Sequence, residues 1–367
     1  MSDELYSRIL GCAVGNAIGD AFGGAVEFMP AEKVRRVAGK TWVDQLLPYA
    51  SDHGAHPLGT WVPAPPRGTG TDDTRNNHIF LECVIRNNGV ISSQFLAMEY
   101  IQRYRDRAAF YPRYPNLAAE HYRWFHDLAC VHLGMQEAPP ETPPWVTAAH
   151  GGSSPILIGL ITLAFAGLLY CGDPEKAYAK AFELSFMDTG YARDATAMMA
   201  AMVSAALAGG LGGKDMVRIG LETHPLKLRS RIMVERVARF LQLADEASDD
   251  QALVDTLARE VQPLHPFDPI DVLGVPMAAI HYSDGDPVRS ITMAANDRYL
   301  DEGGNLKGLR DVDCTAGVAG ALVGALRGVE AFPADWVRDV VEANKEVYAI
   351  DLEANARRFY ETVYGQA

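Results

Sequence analysis

A glycine- and alanine-rich stretch that starts at Asp311 constrains this chain more than any other feature. After Asp311-Val312-Asp313-Cys314-Thr315 come Ala316, Gly317, Ala319, Gly320, Ala321, Gly324, Ala325 and Gly328. Residues this small let a neighbouring backbone come close, so the stretch reads as a helix built to be buried. Towards the other end of the chain, Leu5 to Gly24 carries a similar pattern in Gly11, Ala13, Gly15, Ala17 and Gly19. It predicts a second tightly packed helix at the centre of a helical protein.

Acidic residues mark the start of the first of these helices and of one more. Gly68-Thr69-Gly70-Thr71-Asp72-Asp73-Thr74 sets two carboxylates between threonine hydroxyls, just ahead of a helical stretch in which Ile79, Phe80, Cys83 and Val84 share a face. An ordinary helix N-terminus has the same look, because Thr and Asp cap helices and acids suit the positive end of the dipole. Asp311 and Asp313 shift the balance. Acids on the first turns of two buried helices repel each other and lose hydration unless cations or protons neutralise them. Oxygen ligands without histidine or paired cysteines suit magnesium or manganese better than zinc. The expectation is two Mg2+ or Mn2+ ions between the clusters. Glu27, on the loop leaving the first helix, is either a solvated acid or, with two metal clusters in hand, a third contributor, and the simple reading of Asp20 is a cap on a neighbouring turn.

The chain has 367 residues, a length that suggests two domains. The two acidic clusters have to meet, however, which favours one domain over residues 1–367 with inserted loops at 42–67 and 108–145. A net charge of −14 and the lack of a basic stripe argue against nucleic acid as a partner. Five dispersed cysteines without a C-x-x-C pair fit reduced thiols in a cytoplasmic protein. Ser2, Asp3 and Glu4 read as a helix cap and acidic first turn, not a basic leader. Pro155 to Cys171 is apolar but short for a bilayer and contains Gly159 and Gly167, so a buried core helix is expected and no membrane span.

The remaining segments read as helices and loops. Gln94–Arg107 and Asn116–Leu133 are helical, and the aromatic residues around Tyr111, Tyr122, Trp124 and Phe125 are either core or a stacking platform for a base. In the loop from Trp42 to Arg67, His53 and His56 lack a third nitrogen or sulfur ligand and read as solvated. Gly151-Gly152-Ser153-Ser154 offers backbone amides to an anion or a sugar hydroxyl. Tyr178 to Leu207 is helical but interrupted at Asp188–Asp194, as a segment facing a cleft would be. Ala208–Asp215 fails the phosphate-loop pattern at both ends. Leu226–Ala244 and Gln251–Val261 read as amphipathic surface helices. Val275–His281, Asp286–Leu300, Asp335–Tyr348 and Leu352–Tyr364 complete an all-α bundle, with no alternating run long enough for a sheet.

Taken together, Gly11 to Gly19 with Asp20-Ala21-Phe22-Gly23 and Glu27-Phe28, then Gly70-Thr71-Asp72-Asp73-Thr74, then Asp311-Val312-Asp313 heading a Gly/Ala helix, resemble the ADP-ribosylglycohydrolase family. The resemblance implies an all-helical fold with a dinuclear Mg2+ or Mn2+ centre. It implies hydrolysis of an N- or O-glycosidic bond between ADP-ribose and a protein side chain or small-molecule acceptor. By position, Thr71, Asp72, Asp73, Asp311 and Asp313 are the implied ligands, with Cys314 and Thr315 as candidates. Glu27, Asp73 and Asp313 are the implied catalytic groups, and Asp20, Ser153, Ser154, Asp188 and Tyr191 the implied substrate contacts. The sequence departs from the family pattern in four places. Cys314 stands where a threonine or serine is usual, and Leu309-Arg310 where a glycine pair is usual. Ser153-Ser154 lacks the methionine-arginine that normally follows, and the histidine expected near Asp188 is absent. A hydrolase of a smaller ribosyl or nucleoside compound and a catalytically idle binding protein are the competing readings.

Overall fold

Two helices, Asp3–Gly24 and Val312–Arg327, set the frame. Every residue from Ile9 to Gly24 and from Val312 to Leu326 is buried. They run antiparallel with their backbones almost touching. A Cβ on Gly11 would lie 2.5 Å from the carbonyl oxygen of Gly324, on Gly15 2.2 Å from that of Gly320, and on Gly19 1.8 Å from that of Ala316. The contact is reciprocal, since a Cβ on Gly320 or Gly324 would sit 1.9 Å from the oxygen of Gly15 or Gly11. No side chain fits in such a seam, which is why both helices repeat glycine every fourth residue along the contact. The pairing also sets the end of one helix, with Asp20 and Gly23, against the start of the other, with Asp313.

The computed structural model describes residues 3–135, 156–224, 230–260 and 265–365. The fold is all-α, with 17 α-helices among the described residues. In chain order they are α1 (Asp3–Gly24), α2 (Ala31–Ala38), α3 (Asp72–Arg86), α4 (Ser93–Arg105), α5 (Arg107–Phe110), α6 (Pro115–His132), α7 (Ile158–Thr162), α8 (Pro174–Leu184), α9 (Tyr191–Leu207), α10 (Gly213–Glu222), α11 (Arg231–Glu246), α12 (Asp250–Glu260), α13 (Pro269–Ser283), α14 (Pro287–Ala294), α15 (Val312–Arg327), α16 (Ala334–Tyr348) and α17 (Leu352–Tyr364). None of the described helices is long and apolar enough to cross a membrane. Helix α3 is tied to the central pair by buried amides. Asn77 donates to Asn16 Oδ1 at 3.2 Å, and Asn16 donates to the Gly317 carbonyl at 3.2 Å.

Two expectations need correction. The apolar stretch before Cys171 is not one helix but the short α7 followed by a 3-10 turn over Ala164–Leu169. The Gly159 amide is drawn to Asp188, and Gly167 admits the Ala200 carbonyl to within 2.3 Å of where a Cβ would be. Asp286–Leu300 is helical only to Ala294, because the chain then enters a hairpin. Its strands, β1 (Arg298–Leu300) and β2 (Leu306–Leu309), pair antiparallel with Tyr299 opposite Gly308. Strands this short leave no alternation to detect. The described part of the segment 108–145 carries α6, where a helix over Asn116–Leu133 is expected, and the end of α5.

The hairpin positions the site. Leu309 N–H donates to the Met29 carbonyl at 3.0 Å and Phe28 N–H to the Arg310 carbonyl at 3.2 Å, which pins the loop carrying Glu27 beside Asp311. Arg310 itself is buried, and its Nη1 donates to both carboxylate oxygens of Asp271, at 3.0 and 2.9 Å. In place of the expected glycine pair, the chain here uses an ion pair to anchor the lead-in to α15.

Candidate metal centre

The first acidic cluster is held by its neighbours, not by its own side chains. Thr71 occupies the N-cap position of α3 without making a side-chain cap. Asp20, fully buried on α1, supplies the acceptors from outside the helix. Its carboxylate accepts from Thr71 N at 2.9 Å, Thr74 N at 2.9 Å, Thr71 Oγ1 at 2.8 Å and Thr74 Oγ1 at 2.5 Å. Gly70 has to be glycine, since a Cβ there would lie 2.6 Å from Asp20 Oδ2. Asn344 and Tyr348 fix the other side: Gly70 N donates to Asn344 Oδ1 at 3.1 Å, and the Tyr348 hydroxyl donates to the Gly70 carbonyl at 2.8 Å. Asp20 is expected as a substrate contact, but its oxygens are taken by the turn that presents Thr71, Asp72 and Asp73. Capping, the simpler of its two readings, is what this geometry supports.

The two clusters meet. Thr71 Oγ1 lies 3.1 Å from Asp313 Oδ2, and Cys314 Sγ lies 3.3 Å from Asp73 Oδ2. Ligand atoms of Asp73, Asp313 and Cys314 fall within 4.8 Å of one another, as do those of Glu27, Asp311 and Asp313. Asp313 belongs to both sets. Asp73, Asp311 and Asp313 are buried, and Asp73 Oδ1 and Asp311 Oδ2 reach no hydrogen-bond partner. Buried carboxylate oxygens without donors are what a bound cation would satisfy. The donor set, largely oxygen with one sulfur, is of a kind that could hold a metal ion.

Electrostatics lead to the same place. Burial first, then the Asp313 charge, pushes Asp20 up to about 6 from an ordinary 3.8. Burial pushes Asp72 up to about 7, against the opposing pull of Arg75. Glu27, Asp73 and Asp311 are pushed well above the carboxylate range, by burial and then by their neighbouring acids. A folded state that binds more protons than the unfolded one loses stability as pH rises. The metal-free protein is therefore expected to be favoured at the acid end of the interval from about 4 to about 7, and to lose that advantage through these raised values. Ions need the deprotonated acids, so their stabilisation grows over the same interval. Melting curves in EDTA and in excess Mn2+ are expected to separate as pH rises from below 6 to above 7. A gap that stays constant with pH would contradict this account.

Above the acids lies a cavity of about 440 Å³, lined on one side by Glu27, Asp72, Asp311, Asp313 and Cys314. The rest is mostly apolar and aromatic, including Trp124 and Phe125 of α6, Leu157, Ile158 and Ile161 near α7, and Phe267, with Glu120, His121 and His56 as its polar members. Phe28 and Phe267 meet edge to face with centroids 5.9 Å apart, and both are partly exposed. His121, Glu120 and Phe267 are among the lining residues not anticipated from sequence. His121 is buried, neither ring nitrogen has a partner, and burial holds it well below its ordinary value, so it is neutral. One nitrogen can then donate and the other accept. The only hint in the sequence was His121, Trp124 and Phe125 falling on adjacent positions of one helix face.

The other sequence-derived candidates fall elsewhere. Ser153 and Ser154 lie outside the described residues. The Asp188 carboxylate accepts from Gly159 N at 2.7 Å, Ser185 Oγ at 2.5 Å and Thr196 Oγ1 at 2.7 Å. It anchors the α7 wall of the cleft. Tyr191 donates to Asp268 at 3.0 Å, and Asp268 in turn caps α13. Thr315 Oγ1 donates to the Ala294 carbonyl at 3.0 Å, so of the two candidates after Asp313 it is Cys314 that joins the cluster. Of the two loop histidines, His53 contacts Thr60, while His56 accepts from the amides of Leu58 and Gly59 and does line the cavity.

Comparison with known proteins agrees with this arrangement. The chain is similar to a solved structure described as an ADP-ribosylglycohydrolase-related protein complex. The identity is 20% and the TM-score 0.60, over 99% of this chain and 100% of that one, a likeness of fold. No curated protein matches. The family model for ADP-ribosylglycohydrolase matches residues 1–367. With that match running from end to end over a chain whose acids converge beneath a cleft, this protein belongs to the ADP-ribosylglycohydrolase family, and glycohydrolase chemistry comes with the membership.

Proposed function

We propose that the protein is a metal-dependent hydrolase that cleaves the glycosidic bond between ADP-ribose and a protein side chain or small-molecule acceptor. One observation carries the reading: acids from opposite ends of the chain share a buried floor, with unpartnered oxygens, beneath a cavity large enough for a nucleotide sugar. Thr71, Asp72, Asp73, Asp311, Asp313 and Cys314 would hold two Mg2+ or Mn2+ ions. Such ions, when bound, orient ribose hydroxyls and supply a polarised water.

The chain's own groups do the rest. Glu27 sits at the edge of the floor, and its raised affinity for a proton suits it to hand one to the departing glycosidic atom. Asp73 and Asp313 offset the positive charge that develops at the anomeric carbon. Trp124 and Phe125 offer a flat apolar wall to the base, and neutral His121 offers a donor and an acceptor to a hydroxyl. A specific observation keeps a second reading open. Among the described residues lining the cavity there is no lysine or arginine to meet a diphosphate, which favours a smaller ribosyl or nucleoside substrate.

The test compares release of ADP-ribose from modified arginine and serine with hydrolysis of simple ribosides, each with Mn2+ and with EDTA. Metal-dependent release of ADP-ribose supports the first reading; turnover of ribosides alone replaces it with the second. Cys314 makes a separate prediction about the ions. A sulfur ligand favours softer metals over magnesium, so Cys314→Ser is expected to narrow the preference for Mn2+ over Mg2+ by about tenfold. Titration calorimetry with each metal reads this directly, and an unchanged ratio would remove Cys314 from the ligand set.

A further inference from the structure

A second cavity, of about 380 Å³, opens beside α3 between α4, α5 and the joint of α16 with α17. His78, Glu82 and Arg86 follow one another along a single stripe of α3, with Arg75 one turn earlier. Arg103 comes from α4 and Arg358 from α17.

The charges in this pocket do not balance. Arg86 and Arg103 share Glu99, at 3.0 and 2.8 Å, and Arg358 takes Glu82 at 3.0 Å. Asp351 at the rim is engaged by Lys345 at 2.6 Å. Four guanidinium groups therefore face two carboxylates. Arg75 is buried, and its terminal nitrogens donate to the carbonyls of Pro57, Leu58 and Gly59 and to the Tyr348 hydroxyl. Its Nε–H, however, reaches no acceptor. A buried charged group with an unused donor is costly unless something supplies the missing acceptor. The electrostatic partner nearest in sequence, Asp72, belongs to the metal floor.

The walls are aromatic. Arg75 lies over Trp61 at 4.5 Å and Tyr348 at 5.0 Å, and Arg103 and Arg86 lie over Phe110 at 4.8 and 5.2 Å. Between them His78 accepts from the Asn355 amide at 2.8 Å, and burial with three nearby arginines keeps it uncharged, down at about 3. Arg103 is buried, whereas Arg86 and Arg358 are 39% and 50% exposed, so the cavity runs from an open cationic mouth to a closed cationic and aromatic end. Guanidinium groups in that setting bind phosphate oxygens, and the flat walls take a ring.

We infer that this pocket binds a small aromatic anion carrying one phosphate, of nucleoside-monophosphate size, at a site separate from the metal centre. The site does not depend on the hydrolase reading. AMP is the probe, titrated by calorimetry into the full chain, with adenosine and inorganic phosphate as the two partial ligands. AMP is expected to bind in the millimolar range or tighter, with each partial ligand weaker by about tenfold or more.

Arg86→Glu and Arg358→Glu sit at the mouth, where folding is least at risk. Each is expected to weaken AMP by about tenfold or more, with Arg358→Gln intermediate. Trp124→Ala, in the wall of the other cavity, is expected to leave AMP binding as it was. The inference is overturned if AMP gives no binding heat at millimolar concentration, or if phosphate alone binds as tightly as AMP. It is also overturned if Trp124→Ala abolishes binding while the arginine variants keep it, which would place the ligand in the metal cleft.

Discussion

Replacing Asp313 with asparagine is expected to abolish hydrolysis while leaving the metal-free protein as stable as before, or more so. Asp313 is the residue common to both groups of ligand atoms, so its loss disables each half of the floor at once. A fall of about a thousandfold or more in turnover is the scale for removing a group that stabilises transition-state charge in a buried site. The stability result is the sharper part. Asp313 contributes to the raised values of Asp20, Glu27, Asp72, Asp73 and Asp311, so its charge is a burden to every neighbour when no cation is present. Asparagine keeps the shape and removes that repulsion. Melting in EDTA should therefore hold or rise, and the upward shift on adding Mn2+ should disappear. If the variant still gains stability from Mn2+ and still turns over, Asp313 is not the shared ligand.

Gly19→Ala is expected to cost about 3 kcal/mol or more, at the upper end of overpacking penalties. The reason is geometric. The new methyl would lie 1.8 Å from a backbone oxygen and 2.2 Å from the carbonyl carbon of Ala316, and neither belongs to a side chain that could swing away. Relief requires parting α1 from α15, which also moves Asp20 away from Thr71 and draws Glu27 off Asp311. Activity is therefore expected to fall along with stability. Gly54→Ala is the control, since nothing lies within 4 Å of a Cβ there. Urea unfolding of the two variants beside the parent reads the contrast, and equal midpoints would mean that the seam is looser than its geometry implies.

What could be read from the sequence was whatever repeats or sits at a helix start. The glycine spacing in α1 and α15, the Thr71-Asp72-Asp73 turn and the Asp311-Val312-Asp313 lead-in are local patterns with one physical meaning each, and the structure brings these acids together. Helix α17 begins and ends where periodicity and capping put it. What escaped was decided by partners far away in sequence. The stretch before Cys171 is apolar enough for one helix, yet Asp188 takes its Gly159 amide and α9 presses a carbonyl against Gly167. The polar break at Asp188 read as a cleft-facing segment, but its carboxylate is consumed in bracing the wall behind. His121 was missed because a lone histidine sharing a helix face with aromatics looks like core, and the empty space beside it decides otherwise.

The β1–β2 hairpin has an implication for how members of such a family could diverge. Its inner edge joins the Glu27 loop to the lead-in of α15, and its tip at Asp301–Asn305 is exposed, closed by Asp301 accepting from Gly303 N and Asn305 N. A longer tip would extend outward from that edge without disturbing a single carboxylate on the floor. The outer ribbon and the acidic floor would then be free to evolve as separate traits, one written at the surface and the other in the buried glycine seam.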